Sequence, residues 1–389
     1  MEQKTEKRKK TIRLMRQHHM LVAGIVIPFL LVMLVLNIVI PDRAFSDTEN
    51  RSLAQYPSAN TSALTDGSWF QDFDAWYSDQ FFLRNQWIRL QFTGLSLLGK
   101  KEINGVYIGK KGYHFQNPEI PDEELVSRTI QAVNAFAEQY SGIHTYMMVV
   151  PDASQILEDK LPASVSVRDQ LQDIANFEAQ LSSNIQVLDV TDVLKEHAAD
   201  YIYYKTDHHW TTYGAGLAFS EAASAMGLSD SGGTAYPVTD SFRGTLSSKC
   251  GDMRSTDEID LYKPSNDTGY YVVYQEEGVQ EPSMYKKEAL DEKDKYQIFF
   301  GGNHPLIEID TAADTNRRLL VFKDSYANCF MQYITPYFEK IIMVDPRYYY
   351  DDVGTLAGGS GITDILYLYS GDIILTDTSL ADALESAGN

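Results

Sequence analysis

The sequence predicts an α/β fold, a mainly parallel sheet flanked by helices, with a β-rich insertion and an N-terminal transmembrane helix. Three observations predict it. From Ile143 onward, apolar runs rich in β-branched residues alternate with helix-compatible stretches; the alternation lapses between about residues 229 and 313; and residues 20–40 carry no charge. Near-continuous apolar strands separated by helices imply parallel strands buried on both faces.

The chain opens on a basic tail, with Lys4, Lys7, Arg8, Lys9, Lys10, Arg13 and Arg16 against Glu2 and Glu6. MLVAGIVIPFLLVMLVLNIVI follows at residues 20–40, long enough at about 1.5 Å per residue to span a hydrocarbon core of roughly 30 Å. The run exceeds the roughly 7–15 apolar residues of a cleaved signal peptide, and no A-x-A-like site follows it. An uncleaved anchor is therefore expected, and a buried core helix rarely begins directly after so basic a tail. The excess of positive charge on the N-terminal flank puts that end in the cytoplasm and the chain from about Pro41 outside the cell.

Next comes FSDTENRSLAQYPSANTSALTDGS, polar and without apolar period, which reads as a surface tether. In WFQDFDAWYSDQFFLRNQWIRLQF the aromatic residues recur at roughly helical spacing, so one or two amphipathic helices with a core-facing aromatic stripe are expected. GVYIGKKGYHF, residues 105–115, reads as a β-hairpin turning at Lys111-Gly112. Strands are expected at 143–150, 185–190, 318–322, 340–344 and 364–370, and helices at 121–140, 165–183, 211–226 and 325–338. Residues 229–313, with short runs such as YYVVY and QIFF, read as an irregular β insertion or lid. The expected division is a cytoplasmic tail at 1–19, an anchor at 20–40, a tether, aromatic helices and hairpin at 41–120, and an α/β domain at 121–389.

Composition narrows the function. A formal net charge of −21, with 26 basic against 52 acidic side chains beyond the first forty residues, excludes a fold-wide phosphate-binding surface and so a nucleic-acid partner. The two cysteines, Cys250 and Cys329, support neither a disulfide scaffold nor a four-thiolate zinc site, and are expected as free thiols.

Ligands of doubly wound sheets gather beyond the carboxyl ends of the strands. Two segments there are chemically unusual: YYKTDHHWTTYGA at 203–215, and LLVFKDSYAN at 319–328, where an apolar strand turns abruptly into a helix. A serine at such a turn can lie exposed beside helical N–H groups that would hold an oxyanion, but it needs a base and an orienting carboxylate. Ser325, with Asp207 and His209, could form that set. Taken alone, Ser325 reads as an ordinary helix N-cap. Asp207, His208 and His209 could also read as metal ligands or as a buried structural cluster, although adjacent histidines on an extended segment point apart and no H-E-x-x-H spacing is present. No metal or cofactor is expected. Arg347, after the apolar run KIIMV, should emerge at the same sheet edge and hold an oxyanion, with a salt bridge to Asp324, Asp345, Asp351 or Asp352 as the plainer reading.

DHHW at 207–210 together with KDSY at 323–326 resembles the DHHW family, related to AlgJ/AlgX alginate O-acetylation proteins and to SGNH hydrolases. ENRSLAQYP, GVYIGKKGYHF, VVPDASQILEDKLP, FRGTLSSKCG and VDPRYYY extend the resemblance over most of the exported chain. It implies an SGNH hydrolase-like fold and a triad in which Asp207 orients, His209 is the base and Ser325 the nucleophile. His208 takes the variable middle position; Tyr326, Asn328, His208, Trp210 and Arg347 are the candidates for substrate or oxyanion contacts. Lys323 stands where the related motif often has Gly. The implied activity is acetyl transfer or acetyl-ester hydrolysis on cell-surface polysaccharide, beside a membrane-bound O-acyltransferase that supplies the acyl group. The acidic exported part argues against an anionic polymer such as teichoic acid. The alternative is a catalytically silent polysaccharide-binding or assembly scaffold.

Overall fold

The computed structural model describes residues 2–46 and 51–387. Residues 47–50, within the expected tether and the ENRSLAQYP block, lie outside the described residues, as do the side chains of Lys4, Lys7, Arg8, Lys9 and Lys10 in the basic tail. The chain forms two compact units, 1–91 and 92–389.

In the first unit a 38-residue helix, Glu2–Val39, runs through the basic tail and the apolar run without a break at Pro28. Its Ile12–Val39 part is long and apolar enough to cross a membrane. Helices Ser68–Asp79 and Arg84–Leu97, the second running on into the other unit, follow where the aromatic spacing predicts them. Their stripe is buried only in part: Phe92 is in a core cluster, Trp69, Phe73 and Trp76 are half-buried, and Phe70 is 60% exposed and Trp87 38%.

The second unit is built on one eight-stranded sheet: β1 His144–Val150, β2 Ile185–Val187, β3 Tyr270–Tyr274, β4 Val279–Glu281, β5 Leu306–Thr311, β6 Arg318–Lys323, β7 Lys340–Val344 and β8 Asp364–Ser370. Their order is β4-β3-β5-β7-β6-β8-β1-β2. The strands from β7 to β2 are mutually parallel, while β5, β3 and β4 add on antiparallel. The sheet is thus mixed. The insertion, expected as an irregular β insertion or lid, is β-rich and extends the main sheet by β3, β4 and β5.

Side chains alternate across each strand, which explains the continuous apolar runs. Tyr146, Met148, Leu319, Val321, Ile341, Met343, Leu366 and Leu368 enter one core, covered by helices Thr212–Ala225 and Tyr326–Ile334. Met147, Val149, Leu320, Phe322, Ile342, Val344, Ile365 and Tyr367 enter the other, under helices Glu123–Gln139, Gln170–Glu178, Val353–Gly359 and Ser379–Ser386. The hairpin forms from Val106–Ile108 and His114–Gln116, and its turn takes Lys111 through φ 56°. Cys250 and Cys329 are buried free thiols.

Candidate active site

The carboxyl ends of four parallel strands open into one cavity of about 290 Å³. It is lined by Asp152 beyond β1, Asp324 and Ser325 beyond β6, Arg347 beyond β7, and Ser370 and Asp372 at the end of β8. Such convergence follows from parallel strands ending on a common edge.

Ser325 stands between β6 and the Tyr326–Ile334 helix. It occupies the N-cap position, yet its hydroxyl makes no capping hydrogen bond. Instead it lies 2.7 Å from His209 Nε2. His209 Nδ1 is 2.6 Å from Asp207 Oδ1, which also accepts the His209 backbone N–H at 3.1 Å. An ionised carboxylate on Nδ1 places the ring proton there and leaves Nε2 as acceptor for the Ser325 hydroxyl. Asp207 and His209 are buried and Ser325 is half-buried, so the hydroxyl is the accessible member of the three.

Charge follows the same arrangement. Burial and the adjoining His208 push the His209 imidazole down to about 4, against the pull of Asp207 and Asp324, so the ring is neutral near pH 7. Burial also pushes the Asp207 carboxyl up. His208, His209 and the hydrogen bonds from His209 and the Thr245 backbone outweigh it and hold Asp207 well below the usual carboxylate range.

Supporting contacts come from segments without obvious chemistry. Asp207 Oδ2 accepts the Thr245 N–H at 2.8 Å and the Thr245 hydroxyl at 3.1 Å. Gly244 permits this approach, because a Cβ there would sit 2.2 Å from Asp207 Cβ. Asp257 holds the turn before Asp207 through the backbone N–H groups of Lys205 and Thr206, both at 2.8 Å. Tyr296 stacks on His209 with centroids 4.0 Å apart and planes 14° apart, and its hydroxyl donates to the Ser325 carbonyl at 3.0 Å. Asp324 fixes the turn from the other side, accepting the Tyr326 N–H at 2.8 Å and the Ser370 N–H and hydroxyl at 2.8 and 2.6 Å.

His114, from the hairpin, faces the Lys205 carbonyl with Nδ1 at 3.0 Å and Asp252 with Nε2 at 3.2 Å. Two acceptors on one ring require the imidazolium. Burial pushes its pKa down, but the bonds to Asp252 and Cys250 prevail and raise it to about 9. Asp152 is its acidic counterpart: burial and the Asp372 carboxyl push it well up, and its Oδ2 has no hydrogen-bond partner among the described residues.

The remaining candidates divide. His208 is half-buried at the cavity, with Nδ1 2.8 Å from Thr245 Oγ1. Tyr326 lines the cavity too, but its hydroxyl donates to the His208 carbonyl. Arg347 lines the cavity and is held by Asp345, through Nε at 2.8 Å and Nη2 at 2.6 Å. Trp210 and Asn328 correct the expectation. Trp210 is fully buried with its indole N–H on the Tyr326 carbonyl at 3.0 Å, and Asn328 is turned inward, accepting from Lys323 Nζ at 2.9 Å and donating to Asn303 at 3.1 Å. Neither lines the cavity. Lys323 is likewise directed inward, 3.7 Å from Asp345.

Asp207, His208 and His209 each bring a ligand atom within 4.8 Å of the others, the one such group among the described residues. Their donor atoms are already engaged by one another and by Thr245. The neutral His209 imidazole and the Asp207 carboxylate fit a proton relay to Ser325.

Residues 107–303 match the family model of the SGNH hydrolase-like domain of the acetyltransferase AlgX. That segment contains Asp207 and His209 and ends before Ser325. No curated protein matches the chain. Among solved structures, a DHHW family protein of Eubacterium siraeum is 23% identical over 74% of this chain and 96% of its own, with a TM-score of 0.63. Bacillus cereus PatB1, solved with a sulfonyl adduct, is 19% identical over 70% of this chain and 97% of its own, with a TM-score of 0.61. These likenesses show a shared fold. With the family model spanning just over half of its length, the chain belongs to the AlgX family of SGNH hydrolase-like domains.

Proposed function

We propose that this protein is a membrane-anchored enzyme of polysaccharide O-acetylation that works through an acyl-Ser325 intermediate. The observation that carries the reading is the 2.7 Å contact from His209 Nε2 to Ser325 Oγ, with Asp207 on the other ring nitrogen. His209 takes the Ser325 proton as Oγ attacks the acyl carbonyl, and returns it to the departing group of the acyl donor. A sugar hydroxyl, deprotonated by the same nitrogen, then attacks the acyl carbon and frees Ser325. Attack by water instead would make the same site an esterase.

In this reading residues 20–40 are the anchor, residues 1–19 stay in the cytoplasm, and residues 41–120 and 121–389 act outside the cell. Membership of the AlgX family and the helix at Ile12–Val39 support it. A membrane-bound O-acyltransferase is the proposed source of the acyl group. A catalytically silent polysaccharide-binding scaffold is the second reading. One observation favours it: the Tyr326 N–H, next to the nucleophile and the natural donor to an oxyanion, is taken by Asp324.

The test is to incubate the full chain in detergent with 4-nitrophenyl acetate, with and without oligosaccharide acceptors, and to locate the acetyl group by mass spectrometry. Acetyl on Ser325, absent in Ser325→Ala, is expected. Unchanged turnover by a folded Ser325→Ala variant would reject the nucleophile, and an inert wild type would favour the scaffold.

A further inference from the structure

Part of the aromatic and apolar surface of the first unit's helices faces outward, beside the half-buried Trp69, Phe73 and Trp76. Phe70 is 60% exposed, Tyr77 37%, Trp87 38% and Leu90 61%. Trp69 and Phe73 stack beside them, with centroids 5.1 Å apart. This surface is tied directly to the end of the long apolar helix. Trp76 Nε1 donates to Asp42 Oδ2 at 2.7 Å, Gln80 Nε2 donates to the Arg43 carbonyl at 2.9 Å, and Phe82 N–H donates to Asn37 Oδ1 at 2.6 Å. Asn37 belongs to the helix, which ends at Val39, and Asp42 and Arg43 follow within one turn's length.

Whatever covers the apolar sides of Glu2–Val39 therefore ends where the aromatic surface begins. Trp and Tyr favour the layer between hydrocarbon and headgroups, where a ring is solvated by lipid and its polar atom by water. An amphipathic helix bound there buries its apolar face by only roughly 5–10 Å. We propose that residues 68–91 form an aromatic collar seated in the outer interfacial layer of the membrane that Glu2–Val39 crosses. The occupant of the exposed face is lipid, identified by its continuity with the span. The proposal rests on the anchoring reading above and adds a second, lateral attachment to it.

The tryptophans supply the test, because the chain has four: Trp69, Trp76 and Trp87 in this segment, and Trp210. Trp210 is fully buried in the other unit and serves as the internal reference. The full chain is reconstituted into phosphatidylcholine vesicles whose acyl chains are brominated near the headgroup or near the bilayer centre. Stronger quenching by the shallow label, removing about half or more of the emission, is expected from aromatic residues at the interface. The triple variant Trp69→Phe, Trp76→Phe, Trp87→Phe should lose that quenching while still floating with the vesicles. Wild-type protein that floats with the vesicles but is quenched no more than the triple variant overturns the collar alone. If cross-linking then joins two copies through this segment, a second copy of the chain is the occupant instead. Protein that does not float with the vesicles after a carbonate wash overturns the anchor and the collar together.

Discussion

Replacing Asp207 by Asn tests the relay at its most constrained point. The carboxylate accepts four hydrogen bonds, from the Nδ1 and backbone N–H of His209 on Oδ1 and from the N–H and hydroxyl of Thr245 on Oδ2. An amide has one oxygen. If that oxygen stays on Thr245, the NH2 group meets His209 Nδ1, forces the proton onto Nε2 and removes the acceptor that Ser325 needs. If the oxygen turns to His209, the Thr245 N–H is left buried without a partner, at about 1–3 kcal/mol. Each orientation leaves one backbone N–H without its acceptor, that of His209 in the first and that of Thr245 in the second, and in an analogous Ser-His-Asp triad the wrong tautomer reduces kcat by about 10⁴. A loss of about 10³–10⁴ in turnover of an activated acetyl ester is expected here, equivalent to roughly 4–5.5 kcal/mol of barrier. The assay compares kcat/KM at pH 7.5 for wild type and Asp207→Asn, with thermal unfolding confirming that both are folded. A folded Asp207→Asn protein within tenfold of wild type would show that His209 does not depend on Asp207 and would refute the relay.

Four further outcomes are expected. Gly244→Ala places a methyl group 2.2 Å from Asp207, so it should lower ester turnover and thermal stability together, whereas an ordinary loop alanine would change neither. Because burial holds His209 at about 4, kcat/KM should stay flat as pH falls from 8 to about 5 and decline only as the imidazole gains a proton near 4; a limb near 6.5 would indicate a solvated ring. His114 is raised to about 9 by Asp252 and Cys250 against its burial, so its contribution, about 3 kcal/mol at most, is full below about pH 6.5 and lost as pH rises through 9. The stability gap between wild type and His114→Gln should therefore close between pH 7 and 10 in denaturant titrations. Arg347→Lys should keep a charge beside Asp345 yet reduce turnover by about tenfold or more, since an ammonium lacks the planar fork; equal turnover would confine Arg347 to the ion pair.

The parallel strands were legible because both of their faces are buried, so each reads as an unbroken apolar run. The insertion was legible as β-rich but not in its pairing, because YYVVY is short enough to pair with many edges, and only tertiary packing commits it to β5. The motif residues 207, 209 and 325 could be singled out from their chemistry and from the turn after β6. Their supports could not: FRGTLSSKCG stood out only as a block of the resemblance, with nothing to tie Gly244-Thr245 to Asp207, and Tyr296 lies in a run resembling a strand that forms a 3-10 turn under His209 instead. Trp210 and Asn328 misled through adjacency, since neighbours on an extended segment point to opposite sides and one side of a helix faces the sheet. The aromatic stripe misled for a different reason. Helical spacing reveals that an apolar face exists but not whether protein or lipid covers it.

Asp324 and Arg347 together define what the site can do with negative charge. Asp324 uses both carboxylate oxygens to join the residue after the nucleophile to the end of β8, holding the Ser325 turn rigid while withdrawing the Tyr326 N–H from the cavity. An acyl-serine mechanism still needs a donor for the developing oxyanion. Ionised carboxylates at the cavity would repel that charge, but Asp152, pushed well up by burial and the Asp372 carboxyl, is one candidate donor when it holds its proton; Arg347 is the other. Its pair with Asp345 uses Nε and Nη2 and leaves Nη1 without a protein acceptor among the described residues, on a guanidinium whose orientation is already fixed. In the acyl-serine reading proposed above, Asp345 would hold the fork in place before substrate arrives, and Arg347→Lys tests that role.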